Sequence, residues 1–409
     1  MDGPQAHGYN EDESMTIYFV AGEVSADNHG AALMRSLQKL DPEVKFIGRG
    51  GPQMQQVAGG QLKNWIGDAA VLGLWEVLRH YGYFREQFRQ TLAEIQKSKP
   101  DAVLLIDYPG FNLRLARALR TQSHRQKTVY YISPQVWAWN RGRIKKMARF
   151  IDLVLCIFPF ETDLYVASGL RAVFVGHPMI ERLETQKIDN QRDSNLIGLF
   201  PGSRSREVRK IFPVIIETAR RLLQFNPTLR FQVAAASEEL AREMIEMLRA
   251  EQLPDCQTIE IAVGQTAAVM QRAVLGIVAS GSATLEAAYF GMPFVLIYKV
   301  AWPTYVAARL VMKVDFLGMP NLLAGKEVVP EFIQHEAKPD AIVKAVRLLM
   351  EDAPARDRMI SDFDAIISEL GGPGASERAA QAIVEELRDG RSPDPPGGLS
   401  RSVGAWKRR

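Results

Sequence analysis

Short apolar or β-branched runs alternate with amphipathic stretches along most of this chain. The first series is Thr16–Ala21, Lys45–Ile47, Ala102–Ile106, Thr128–Ile132, Leu153–Ile157 and Ala172–Val175. Runs this short and this apolar, separated by helical patterns, predict a parallel sheet with helices on both faces. The polar segment Thr185–Asn195 has the composition of a linker, and beyond it the pattern restarts with Leu196–Phe200, Arg230–Ala235, Thr258–Val263, Leu275–Ala279 and Phe294–Tyr298. A mostly helical stretch, Asp340–Leu387, is interrupted at Gly371-Gly-Pro-Gly374. The expected fold is therefore α/β, with two Rossmann-like doubly wound domains, a cleft between them and a C-terminal helical segment. The expected limits are a disordered tail over 1–14, domains over 15–190 and 191–345, helices over 346–390 and a loose Pro-, Gly- and Arg-rich tail over 391–409.

Composition narrows the partners more than the fold. With 409 residues, 47% of them hydrophobic, the chain can fill two cores. Cys156 and Cys256 lie in or beside apolar runs at no metal or redox spacing and read as reduced packing residues. The first fourteen residues lack the basic start and apolar run of a signal peptide. Pro293–Val314 is broken by Lys299, Pro303, Arg309 and Lys313, so no membrane span is expected and the protein reads as soluble or peripheral. A net charge of +3 is too small to argue for nucleic acid.

Candidate chemistry gathers where apolar strands end. Val274–Val278 runs into Ala279-Ser-Gly-Ser-Ala-Thr-Leu-Glu286. Ser280, Gly281 and Ser282 let a ligand approach backbone, and a helix beginning near Ser282 or Thr284 offers unpaired N–H groups to a phosphate. Glu286, about one turn further in, suits a pair of ribose hydroxyls; an ordinary strand-to-helix junction capped by Ser282 or Thr284 is the alternative. Ile197-Gly-Leu-Phe-Pro-Gly-Ser-Arg204 repeats the design, with Gly202 and Ser203 supplying N–H groups and Arg204 a guanidinium fork. Two phosphate-suited turns in one domain favour a nucleotide-sugar site. Met319-Pro-Asn-Leu-Leu-Ala-Gly325 adds Asn321 as an uncharged polar handle.

In the first domain, Thr16–Ala21 leads into Gly22-Glu-Val-Ser-Ala-Asp-Asn28, which puts Glu23, Ser25, Asp27 and Asn28 where a substrate binds in open α/β sheets, although Ser25 or Asp27 is also a natural helix cap. Asp107 is the first polar group after the apolar strand Ala102–Ile106, so it can serve as a general base or, alternatively, tie down the turn before Asn112. Ala69–Phe88 is richer in aromatic and aliphatic residues than one buried stripe needs, and Arg141, Arg143, Lys145, Lys146 and Arg149 form a dense basic face for anionic lipid or a substrate phosphate. A core helix and a solvated face are the respective alternatives. The histidines His7, His29, His80, His124, His177 and His335 never pair at metal-ligand spacing, and neither a Walker lysine motif nor a dinucleotide glycine fingerprint stands in its required context. Neither metal nor cofactor is expected.

Eight stretches in series resemble one family: Gly22-Glu-Val-Ser-Ala-Asp27, Ile106-Asp-Tyr-Pro-Gly-Phe-Asn112, Ser133-Pro-Gln-Val-Trp-Ala-Trp139, Phe158-Pro-Phe-Glu161, Gly176-His-Pro178, Pro201-Gly-Ser-Arg204, Ser280-Gly-Ser-Ala-Thr-Leu-Glu286 and Pro320-Asn-Leu-Leu-Ala324. The chain resembles lipid-A-disaccharide synthase, a glycosyltransferase of the two-Rossmann-domain (GT-B) type, over about residues 16 to 345. It departs from the family's common pattern at Ala26, where Gly is usual, and at Gly110, where a second Asp is usual. The resemblance implies transfer of diacylglucosamine from its UDP donor to 2,3-diacylglucosamine 1-phosphate, forming the β-1′,6-linked disaccharide of lipid A. It implies UDP on the second domain through Arg204, Ser280–Glu286 and Asn321, and Asp107 as the catalytic carboxylate. It further implies membrane contact through Val71, Leu72, Leu74, Trp75, Val77 and Leu78 on the cytoplasmic face of the inner membrane, and a homodimer with exchanged C-terminal segments. A sugar-nucleotide epimerase of the same architecture and a non-catalytic peripheral UDP-sugar-binding protein are the rival expectations; the first has no use for the lipid-facing stretch, the second none for Asp107.

Overall fold

The computed structural model describes residues 14–66, 81–122, 126–135, 137, 142–251, 259–302, 305 and 314–389. Thirteen strands occur among them: β1 (Thr16–Ala21), β2 (Lys45–Gly50), β3 (Leu62–Asn64), β4 (Ala102–Ile106), β5 (Lys127–Tyr131), β6 (Leu153–Cys156), β7 (Arg171–Phe174), β8 (Asp193–Phe200), β9 (Arg230–Ala235), β10 (Ile259–Val263), β11 (Ala273–Ala279), β12 (Phe294–Tyr298) and β13 (Glu331–Ile333). They form two sheets, in the orders β3-β2-β1-β4-β5-β6-β7 and β10-β9-β8-β11-β12-β13. The described pairings are parallel, for example Ile17 beside Ala102 and Ile197 beside Leu275. Parallel neighbours require a crossover, and helices such as Val24–Leu40 and Ser205–Phe225 supply it while covering the strands. Both faces are therefore dry, which is why β4 (Ala-Val-Leu-Leu-Ile) is buried at every position.

The chain falls into two compact units, Met1–Val129 with Glu377–Arg409, and Tyr130–Ser376. In the first, β1 is followed outward by β2 and β3, and β4 then returns to its other side. The second repeats this logic, with β8 flanked by β9 on one side and β11 on the other. Each sheet thus has a point where the chain reverses direction, between β1 and β4 and between β8 and β11, and open α/β sheets bind ligands beyond the strand ends at such points.

Three features of the fold exceed the sequence reading. The strands β3 and β13 were not anticipated, being three-residue edges with no run of their own. The segment 185–192 is fastened to the second sheet: Ile188 N donates to Gln271 Oε1 at 2.8 Å, and Arg192 donates to the carbonyls of Met270 and Ala273, both at 2.7 Å, and of Phe290. The last helix, Ala375–Asp389, belongs largely to the first unit, where Glu377 meets Lys39 at 3.3 Å and Glu386 meets Lys127 at 2.6 Å. Among the described residues no helix is long and apolar enough to cross a membrane.

Candidate functional site

In the second unit, β8 ends at Phe200 and the chain turns through Pro201, Gly202 and Ser203 into the helix Ser205–Phe225. Gly202 has φ +113°, a conformation that side chains disfavour. Arg204 is extended and caps the helix through its carbonyl, which accepts from Glu207 N at 2.9 Å and Val208 N at 3.0 Å. The helix is held by its inner face, Val208, Ile211, Phe212, Ile215, Ala219 and Leu222, all buried. Its N-terminus is thereby fixed beyond β8 with the positive end of its dipole toward the turn. The Arg204 side chain is 78% exposed and touches Glu207 at 3.3 Å, a weak and screened contact that leaves most of its fork available.

Beyond β11 the turn Ser280–Ser282 leads into the helix Ala283–Tyr289. Ser280 N donates to Ile297 O at 3.0 Å, and buried Thr284 donates its hydroxyl to Gly281 O at 2.7 Å. Between the two turns lies a cavity of about 770 Å³, walled by Gly202, Ser203 and Arg204 beyond β8, Ala236 beyond β9, Gly264, Gln265 and Thr266 beyond β10, and Ser280, Gly281, Ser282 and Glu286 beyond β11. That volume lies in the range of roughly 300–1,000 Å³ usual for small-ligand sites. Its position at the reversal point of the sheet is where a nucleotide is expected.

Two residues of the expected donor set stand elsewhere. Thr284 is buried beneath the turn it ties. Asn321 is fully buried, and its amide is used on backbone and on the Glu331 carboxylate: Nδ2 donates to Val329 O and Glu331 Oε1 at 2.8 Å, while Oδ1 accepts from Val328 N at 2.7 Å and Val329 N at 2.8 Å. Glu331 in turn accepts from Leu317 N and Gly318 N, and Ser280 Oγ donates to Leu317 O at 3.4 Å. Asn321 therefore steadies the neighbourhood of Ser280 and is not part of the cavity wall. Conversely, Arg182 and Gln186 line the cavity without having been singled out in the sequence. Arg182 lies on the helix Met179–Glu184, whose residues show no motif that separates them from an ordinary amphipathic surface. Gly264-Gln-Thr266 was readable, since it follows a strand and opens a helix as the other two turns do.

In the first unit, Asp107 follows β4 directly. Asp107 and Tyr108 are both left-handed, at φ 46° and 49°, a conformation that costs non-glycine residues energy and that the surroundings must impose. Asn112 imposes it: its Nδ2 donates to Asp107 O at 2.7 Å and Ile106 O at 3.2 Å, and Phe111 N and Asn112 N donate to Tyr108 O. The Tyr108 ring rests where a Gly22 Cβ would be, only 2.5 Å from its Cδ1, so the glycine after β1 is what admits it. Trp65 and Phe111 pack around Tyr108, and Trp65 Nε1 donates to Ala21 O at 2.6 Å. The Asp107 carboxyl is pushed up to about 6 by burial and by the charge of Glu23, opposed by the Tyr108 N–H. A carboxylate in that range suits proton abstraction near neutral pH.

The remaining residues of that end divide. Glu23, Ser25 and Asn28 are exposed. Asp27 differs from the expectation: it is 2% exposed and accepts from Gly51 N and Gln53 N at 2.9 Å and Met54 N at 3.0 Å. It caps the neighbouring helix Pro52–Val57 and neither begins its own helix nor is open to a substrate, because it is buried with both carboxylate oxygens engaged by backbone N–H groups. The helix Val24–Leu40 starts with Glu23 as N-cap, so Ala26 sits in ordinary helical backbone and needs no glycine.

Two family-like stretches without an expected role prove to be one clamp. Glu161 is fully buried and accepts from Ser133 Oγ at 2.5 Å, Trp137 Nε1 at 2.9 Å and Phe158 N at 3.2 Å, while Tyr165 OH donates to Pro134 O at 2.9 Å. Burial pushes Glu161 up to about 7 despite those donors. On the helix Gly142–Met147 and just after it, Arg143, Lys145, Lys146 and Arg149 are exposed while Ile144 and Met147 are buried, so a basic face exists. Arg141 and the whole expected membrane contact, Val71, Leu72, Leu74, Trp75, Val77 and Leu78, lie outside the described residues.

A family model described as lipid-A-disaccharide synthetase matches residues 17–385. The chain is 38% identical over 385 residues to a lipid-A-disaccharide synthase of Geobacter sulfurreducens, an alignment that covers 92% of this chain and 98% of that one. Among solved structures it is similar to a UDP-GlcNAc 2-epimerase of Neisseria meningitidis bound to UDP-GlcNAc, with TM-score 0.59, 14% identity and coverage of 91% and 99%. It is also similar to a kitacinnamycin glycosyltransferase, with TM-score 0.57, 14% identity and coverage of 92% and 100%. At these identities the two structures speak for the fold alone.

Proposed function

The chain belongs to the lipid-A-disaccharide synthase family, and from that premise we propose how its residues carry the reaction. The enzyme is a hexosyltransferase with a UDP-sugar donor and a lipid acceptor, joining UDP-2,3-diacylglucosamine to 2,3-diacylglucosamine 1-phosphate and releasing UDP. The donor's diphosphate lies against Gly202, Ser203 and Arg204, with Ser280, Gly281 and Ser282 on the other side and the ribose at Glu286. Asp107 takes the proton of the acceptor's 6-hydroxyl as that oxygen attacks the anomeric carbon from the face opposite UDP, which inverts the centre. Negative charge then gathers on the departing diphosphate. The Arg204 fork and the N-terminal dipole of the helix Ser205–Phe225 stabilise it there.

The observation that carries the catalytic assignment is the Asp107 carboxyl, half-buried at the end of β4, held in left-handed backbone and raised to about 6. Glu23, Ser25 and Asn28, exposed beyond β1, are the acceptor-side residues of this reading. Thr284 and Asn321 act by holding the donor turns and not by touching UDP.

The same reading has the enzyme working on the cytoplasmic face of the inner membrane, with Val71–Leu78 and the basic face at Arg143–Arg149 against the bilayer. It also has two copies exchanging C-terminal segments, which would preserve the Lys39–Glu377 and Lys127–Glu386 pairs across chains. An epimerase shares the architecture, but family membership favours transfer. The test is to incubate the purified protein with UDP-2,3-diacylglucosamine, with and without the monosaccharide phosphate. Disaccharide and UDP in equal amounts, dependent on the acceptor, support transfer; an altered UDP-sugar without need of acceptor would overturn it.

A further inference from the structure

Arg182 is fixed to the donor cavity by more than its own side chain. The helix that carries it, Met179–Glu184, buries Met179, Ile180 and Leu183 in the core of the second sheet. At its end Glu184 pairs with Lys187 at 2.8 Å and accepts from Tyr289 OH, while the Lys187 ammonium stands 5.2 Å from the Tyr289 ring centroid. These contacts fasten it to the helix Ala283–Tyr289, which bears Glu286. From this support the Arg182 Nη2 donates to Glu286 Oε1 at 2.9 Å, across 104 residues of sequence. The Glu286 side chain is only 14% exposed and the Arg182 side chain 48%, and both residues line the cavity. The other arginine–carboxylate pair on the wall, Arg204–Glu207, is different in kind, being a 3.3 Å contact between near neighbours within one helical turn.

We propose that Arg182 is a positioning and specificity-determining residue for the nucleotide. By engaging one oxygen of the Glu286 carboxylate, it sets the rotamer in which the other oxygen faces the cavity to accept from the hydroxyls of a ribose, so that the pair selects a ribonucleoside diphosphate over its 2′-deoxy counterpart. An ionised carboxylate has acceptor capacity for both partners at once, and a guanidinium fixed on a packed helix holds it with little loss of freedom on binding. This inference rests on the reading of the cavity as the UDP-sugar site.

The test is calorimetric titration of the full-length protein with UDP and with 2′-deoxy-UDP, for wild type, Arg182→Ala, Arg182→Lys and Glu286→Gln. Wild type is expected to prefer UDP by about tenfold or more, the worth of one hydrogen bond to a charged group. Arg182→Ala should bring that ratio close to one, mainly by weakening UDP, and should raise the KM for the UDP-sugar far more than it lowers kcat. Arg182→Lys, which keeps charge but loses the fork, should recover part of the ratio. If Arg182→Ala loses its fold, Arg182→Met, which retains the aliphatic stem, takes its place. A wild-type ratio in the Arg182 variant, with Glu286→Gln losing it, would overturn the role of Arg182 alone. Failure of wild type to bind UDP, or an unchanged ratio in Glu286→Gln, would instead overturn the donor-site reading, and this inference with it.

Discussion

At the scale of single residues, the proposed catalytic carboxylate sits where local rules are broken. Asp107 and Tyr108 are consecutive left-handed residues without being glycine, and a carboxyl is kept partly out of water beside another acidic residue. Such a group lowers stability in a pH-dependent way. Its folded-state value of about 6 exceeds the ordinary 3.8, so between those limits the native protein binds more protons than the unfolded chain and stability falls as pH rises. Asp107→Asn, neutral throughout, should match wild type in melting temperature near pH 4 and exceed it by pH 7; a lower melting temperature at pH 7 would mean that Asp107 is a structural anchor. Arg204 makes the opposite case, exposed and nearly unengaged. Arg204→Ala should leave folding intact and reduce donor use by about 2 kcal/mol or more where the contact with diphosphate is desolvated. Normal UDP binding and turnover would reduce Arg204 to a helix cap. The exit position of Asp107 was legible because an apolar strand ends on it, whereas the inward duties of Asp27 and Asn321 were not. Their partners lie at residues 51–54 and 328–331, and nothing local in the sequence shows which backbone donors will face them.

At the scale of elements, most strands were legible to within a few residues because a parallel strand buried on both faces has to be a continuous apolar run. The exceptions follow the same physics. Leu62–Asn64 and Glu331–Ile333 are edge strands too short to carry a pattern, and the helix Met179–Glu184 reads as amphipathic surface although it brings Arg182 to the cavity. The Glu161 clamp joins residues that stand 28 and 24 positions apart in the sequence. Removing it leaves the Ser133 hydroxyl, the Trp137 indole and the Phe158 N–H without their buried acceptor, each at about 1–3 kcal/mol. Glu161→Ala should therefore cost several kcal/mol in chemical unfolding, and Glu161→Gln, which keeps an acceptor oxygen for Trp137, clearly less. Equal losses in the two variants would show that the volume of the side chain matters and the hydrogen bonds do not.

At the scale of the whole molecule, two doubly wound sheets each present candidate functional residues beyond their reversal point, Asp107 after β4 and the phosphate-suited turns after β8 and β11. The proposed membrane attachment belongs to this scale as well. Replacing Val71, Leu72, Leu74 and Trp75 with Ser should move the protein from membrane to soluble fractions with its melting temperature preserved, and high salt should release wild type to the extent that Arg143, Lys145, Lys146 and Arg149 contribute. Loss of the fold in the Ser variant would make those four residues part of the core. The central claim is that the first unit supplies the base for a glycosyl transfer whose donor the second unit holds. Its most direct measurement is turnover of Asp107→Asn in the two-substrate assay, with UDP binding measured on the same preparation. Turnover is predicted to fall by about 10²- to 10⁴-fold, the range usual for loss of a general base, while UDP binding hardly changes. Retention of more than about a tenth of wild-type turnover, with the chemical step shown to be rate-limiting, would contradict it.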